Sequence, residues 1–130
     1  DVYSRSLKLN GEEHEETLRA ANNYANSLEE LKRYEEAKSV LRKIIPVARR
    51  IFGEDATNTV KMKAVYACTL YEDPDATLDD VREAVATLED AGRIGRRVFA
   101  GAHPMTARIE GDLQNARAAL RASETPQEGA

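Results

Sequence analysis

Cysteine is nearly absent, with Cys68 standing alone in 130 residues. An internal disulfide is therefore excluded, which suits a reducing compartment. Long apolar runs are missing too: none approaches the roughly 18 to 20 residues that cross a bilayer, and no basic-then-apolar leader opens the chain. A soluble, cytoplasmic protein is the expectation. Charge of one sign is not segregated along the chain: the net charge is −4, with acids and bases interleaved. No concentrated basic face is left for nucleic acid, and none for an anionic membrane. Phosphate-cradling glycine loops, nucleophile elbows and metal-ligand spacings are also lacking, so neither enzyme chemistry nor a cofactor is expected. The two histidines, His14 and His103, are far apart and have no cysteine partner, which makes a poor zinc set. Neither methionine, Met62 or Met105, lies near the start. The chain reads as an excerpt or a processed product.

What the sequence does contain is a repeat. Gly11-Glu-Glu-His-Glu-Glu-Thr17 returns 42 residues later as Gly53-Glu-Asp-Ala-Thr-Asn-Thr59, and a degenerate third copy runs from Ala100 to Thr106, 47 residues after Thr59. Recurrence at a period between 20 and 50 residues marks a solenoid, and solenoids mostly bind other proteins. At 130 residues, 42% hydrophobic and 32% charged, the chain has the size and composition of one domain.

Each copy reads as two helices. Leu18, Ala21, Ala25, Leu28 and Leu31 recur at three- and four-residue steps, which predicts a first helix, A, from about 15 to 31. After Lys32-Arg33 the stripe Ala37, Val40, Leu41, Ile44, Ile45, Ala48 and Ile51 predicts a second, B, ending near Phe52, with Gly53 as its left-handed stop. Pro46 inside helix B predicts a local kink costing about 3 kcal/mol. In the second copy Val60, Lys61, Tyr66, Ala67 and Leu70 answer Leu18, Arg19, Tyr24, Ala25 and Leu28, giving a helix A over about 58 to 72. A turn-forming insertion at 73–77 follows, and Thr77 with Asp80 reads as the cap of a helix B over about 78 to 99. Gly92 and Gly95 weaken that helix by about 1 kcal/mol each relative to alanine, unless they admit close packing of a neighbouring helix. His103-Pro104 opens a final helix striped by Ile109, Leu113, Ala116 and Leu120. Residues 1–10 align with the end of a helix B, so the division is 1–10, 11–52, 53–99 and a capping helix in 100–122, then a polar tail over 123–130. The array is expected to continue upstream.

The spacing Ala21-x-x-Tyr24-Ala25-x-x-Leu28 followed by Ala37-x-x-x-Leu41, with the Gly-Glu-Glu-His-x-x-Thr linker, Asn22-Asn-x-Ala25 and Arg33-Tyr-Glu-Glu-Ala37, resembles the long tetratricopeptide repeats of the kinesin light chain type. The second copy departs by losing His-Pro and gaining five residues, and the third has Ala100 for glycine. The resemblance implies an all-α, right-handed α-solenoid of antiparallel helix pairs whose A helices line a concave groove for an extended peptide or a partner helix. Positions off the packed stripe nominate the groove: Arg19, Asn22, Asn23 and Asn26, then Lys61 and Cys68, then Arg108 and Asn115. Carboxamides can pair with a peptide backbone while Arg and Lys can hold a carboxylate, so an acidic peptide or a C-terminal carboxylate is the expected partner. The alternative for the three asparagines is that they are solvated polar residues.

Other residues have plainer readings. His14 and His103 are expected to cap or pack at the turns between copies, the Glu12 to Glu16 run to favour a helix start, and Tyr24, Tyr34 and Tyr66 to pack with wet hydroxyls. Cys68 reads as a small buried or groove-side residue rather than a nucleophile. Self-association through an exposed end near Val2, Leu7 and Leu9 is the other function considered.

Overall fold

The computed structural model of the chain describes residues 2–11, 13–99 and 103–124. Glu12, the stretch 100–102 of the third copy, and positions 125–130 of the expected tail lie outside the described residues. Six helices are present: α1 Val2–Asn10, α2 Glu15–Glu30, α3 Tyr34–Ile51, α4 Thr57–Tyr71, α5 Leu78–Val98 and α6 Pro104–Glu124. No strand occurs among the described residues, so the chain is all-α. The order matches the five helices and one helix end read from the stripes, with boundaries within about two residues.

The repeated motif explains where helices stop. Gly11 has φ +81° and Gly53 φ +104°, and their N–H groups donate to Leu7 O at 3.0 Å and Arg49 O at 3.1 Å. Each glycine takes the left-handed conformation that closes a helix C-terminus and is costly for other residues. The end of α2 uses the same device without glycine: Lys32 has φ 62°, Arg33 N–H donates to Leu28 O at 2.8 Å, and Lys32 N–H donates to Glu29 O at 2.9 Å. At the 73–77 insertion the expected capping box forms. Asp80 N–H donates to Thr77 Oγ1 at 3.1 Å, and Thr77 N–H donates to Asp80 Oδ2 at 3.0 Å.

The threonine of the first two copies ties its helix to the one before. Thr17 Oγ1 donates to Ser6 O at 3.1 Å, and Thr59 Oγ1 donates to Ala48 O at 3.5 Å, so the bond recurs at the 42-residue offset. Thr106 keeps the place without the bond: its hydroxyl is buried and unpartnered, and a Cβ built on Gly95 would lie 3.7 Å from it. An ion pair repeats as well. Arg50 reaches Glu13 and Arg97 reaches Asp55, both at 2.8 Å, each joining the end of a helix B to the linker that opened its copy.

Packing follows chain order, α1 on α2 through to α5 on α6, and α4 additionally touches both α2 and α6. No comparable approach joins α3 to α5 among the described residues. The centre of the core is α4, buried at eleven of its fifteen positions, whereas α2 buries six of sixteen. Helix α3 continues through Pro46 as one helix. Gly92 and Gly95 face α6, and a Cβ at either would lie 3.7 to 3.8 Å from Ile109, which is ordinary contact. The glycines therefore cost helix propensity without being required for the packing.

Candidate functional site

The eight nominated residues fall on α2, α4 and α6, seven of them at least partly exposed and Cys68 buried. Arg19 is exposed, reaches Glu15 at 3.6 Å, and lies 5.7 Å over the Phe52 ring. Asn23 is exposed and lines a mostly apolar hollow with Val2, Tyr3, Ala20, Tyr24 and Ser27. Asn26 is half-buried and points along its own helix, its Nδ2 3.5 Å from Glu30 Oε1. Lys61 is half-buried and makes no ion pair among the described residues. Asn115 is exposed on α6.

Cys68 departs from the groove expectation. It is 5% exposed, its Sγ 3.9 Å from the Tyr71 hydroxyl. Burial first, then the charges of Asp112 and Glu72, push its thiol up to about 12. The thiol is inert and covered where α4 and α6 meet, so it cannot touch a ligand.

Around Cys68 lies a cluster that the stripes did not reveal. Glu29 near the end of α2, Glu72 after α4 and Asp112 of α6 converge, with Tyr71 and Cys68 between them and Arg108 as the cation. Desolvation, the hydrogen bond shared with Glu29, and the charges of Glu29 and Asp112 raise the Glu72 carboxyl above its usual range, against the pull of Arg108. Desolvation also raises Asp112, although Arg108, at 3.7 Å, and the Cys68 thiol act in the other direction. The Tyr71 hydroxyl is raised by burial first. Carboxyls pressed together in this way hold protons more tightly, since neighbouring charges oppose ionisation. No group of three or more such side chains has a metal-binding arrangement among the described residues.

One acceptor on this side of the molecule lacks a donor among the described residues. Asn22 Oδ1 is buried and unpartnered, whereas Asp112 Oδ2, also buried, accepts no close hydrogen bond but faces the Arg108 guanidinium at 3.7 Å. Asn22 is two helical turns from Glu29 and so shares its face, the face that meets Glu72. An unpaired buried acceptor costs about 1 to 3 kcal/mol, so Asn22 Oδ1 gains from an incoming N–H.

The opposite side, where α3 and α5 stand apart over α4, is a cleft of about 250 Å³. Its polar residues satisfy one another. Lys63, 2% exposed, holds Glu54 and reaches Asp90 at 3.0 Å, and Arg49 reaches Glu54 at 3.0 Å. Burial works against the Asp90 carboxylate, yet Lys63 and Arg93 outweigh it and hold it below its ordinary range. Arg42 Nε donates to the Tyr66 hydroxyl at 3.1 Å, which donates to Glu83 at 2.6 Å. Tyr66 is therefore not wet as expected; the lengthened copy brings α5 across it. Repeat alignment carried a signal for Lys63, because it stands where Ala21 stands one copy earlier, on the buried stripe. A lysine in that register must find a carboxylate.

Compared with known proteins, the chain matches no family model, no curated protein and no solved structure to a significant degree. No described helix is long and apolar enough to cross a membrane.

Proposed function

We propose that the chain is a peptide-binding scaffold, built as a right-handed α-solenoid resembling the long tetratricopeptide repeats of the kinesin light chain type, and that it acts as part of a larger repeat protein rather than as an enzyme. The A helices α2, α4 and α6 touch in series while α3 and α5 stand apart, an arrangement that favours curvature with the A helices on the inner side. An extended segment of a partner protein crosses that inner wall. The observation that carries this reading is the donorless buried acceptor Asn22 Oδ1 on α2, with Asp112 Oδ2, buried and facing Arg108 at 3.7 Å, on α6. A crossing peptide supplies backbone N–H groups along its length, one of which can reach Asn22 Oδ1. Lys61, without an ion pair, and the exposed Arg19 suit an acidic side chain or a terminal carboxylate on the same ligand.

The test is a binder selected from a displayed peptide library, with affinities measured on folded variants. Asn26→Ala and Lys61→Glu are expected to weaken it tenfold or more, about 1.4 kcal/mol or above, with the thermal midpoint unchanged. Arg82→Glu, the matched charge reversal on α5, is expected to leave it alone. Equal losses on α5 would place the site elsewhere.

A second reading, self-association through the α1 end, is favoured by the exposure of Val2 at 73% and Leu9 at 76%. It requires the mass in sedimentation to rise with concentration.

A further inference from the structure

His14 and His103 do the same job in two copies. Glu16 N–H donates to His14 Nδ1 at 3.1 Å, and Met105 N–H donates to His103 Nδ1 at 3.0 Å. In both, the imidazole takes the place of the Ser, Thr, Asp or Asn that normally caps a helix start. His14 has the extended backbone of an N-cap, φ −90° and ψ 137°, and the His103 ring stacks on Phe99 with centroids 4.4 Å apart. The corresponding residue of the middle copy is Ala56, with similar backbone angles, φ −69° and ψ 144°, and no side-chain cap.

A histidine cap differs chemically from a hydroxyl or carboxylate one. Nδ1 accepts only while the ring is neutral with its proton on Nε2; a protonated ring carries N–H on both nitrogens. The cation then turns a donor toward the amide it had bonded, and places positive charge at the positive end of the helix dipole. Both changes oppose the helix start. Among the described residues, the charged groups close to His14 along the chain are Glu13, held by Arg50 of α3, Glu15, held by Arg19, and Glu16, with Lys8 in the last turn of α1. Among the described residues, those close to His103 along the chain are Arg96 and Arg97 at the end of α5, the latter held by Asp55, and Arg108 of α6, which reaches Asp112 at 3.7 Å.

We propose that the two outer A helices, α2 and α6, are pH-responsive at their N-termini through His14 and His103, while the central A helix α4, begun at Ala56, is not. Because the bonds need neutral imidazole, the stabilisation they give is present while the rings are neutral and is lost on acidification, once they take a proton. Acidification loosens the first turns of the two helices that flank α4. The device needs no ligand and holds whether or not the A helices bind a peptide.

The amides of Glu16, Met105 and Asn58 are the second helical residues of α2, α6 and α4, and they supply a test with an internal control. Hydrogen-exchange protection factors, corrected for intrinsic exchange, are measured on the isotope-labelled chain from pH 7.5 to pH 5.0. Protection at Glu16 and Met105 is expected to fall about fivefold relative to Asn58, the loss of one N-cap. In the variant H14N/H103N, where asparagine caps without titrating, that fall is expected to vanish. Glu16 and Met105 tracking Asn58 across the range would overturn the proposal, and so would an unchanged fall in the asparagine variant.

Discussion

Helices α2 and α4 are built on the same template 42 residues apart, yet only α4 is enclosed. The template gives both a leucine at one register, Leu28 and Leu70, a tyrosine at another, Tyr24 and Tyr66, and a buried threonine at the start. In α2 the tyrosine is half-buried, its ring 5.8 Å from Tyr3. In α4 the tyrosine is 8% exposed and bonded between Arg42 and Glu83, and the alanine of α2 becomes the buried Lys63. A repeat fixes the helix and its stripe; position in the stack decides what the remaining faces meet. A central helix needs polar side chains that close on neighbours from both sides, whereas an outer one leaves groups such as Asn22 Oδ1 without a donor.

The largest expected effect is on the leucines. Leu70→Ala is expected to cost about 4 kcal/mol and Leu28→Ala about 3 kcal/mol in chemical denaturation, because surroundings packed on every side collapse less into the space left. An inverted order would break the comparison. The hydroxyls should separate more cleanly. Tyr66→Phe leaves Arg42 and Glu83 without their shared partner and is expected to lose about 1 to 1.5 kcal/mol, while Tyr24→Phe stays within about 0.5 kcal/mol. The smallest effect is a gain: Ala56→Ser supplies the cap that α4 lacks and is expected to add up to about 1 kcal/mol. His14→Ser, which exchanges one cap for another, is expected to be nearly neutral at pH 7.5.

The helices were legible because apolar spacing and linker punctuation agree. Leu18 to Leu28, Ala37 to Ala48, and the pair Thr77 and Asp80 each place an element within about two residues of where it lies. The turn after α2 was legible as a break but not in its form, since Lys32 adopts φ 62°, a conformation that composition assigns to glycine. Less of the candidate site could be read. Angular position on a helix separates Asn22 and Lys61 from the stripe, but it cannot say that α6 comes to cover Cys68, because that depends on how helices distant in sequence are stacked. For the same reason the meeting of Glu29, Glu72 and Asp112 leaves no local signature: each acid is unremarkable within its own helix, and only the contacts of α4 with α2 and α6 bring them together.

The central claim is that a partner peptide lies across α2, α4 and α6. Its most direct test is amide chemical-shift mapping of the labelled chain, titrated with a peptide selected on the folded domain. The account predicts perturbations concentrated at Asn22, Asn26, Lys61 and Asp112, with the side-chain amide of Asn22 among the largest, and little change at Arg42, Glu83 or Asp90. Perturbations centred on the cleft between α3 and α5, with Asn22 and Lys61 unmoved, would contradict it.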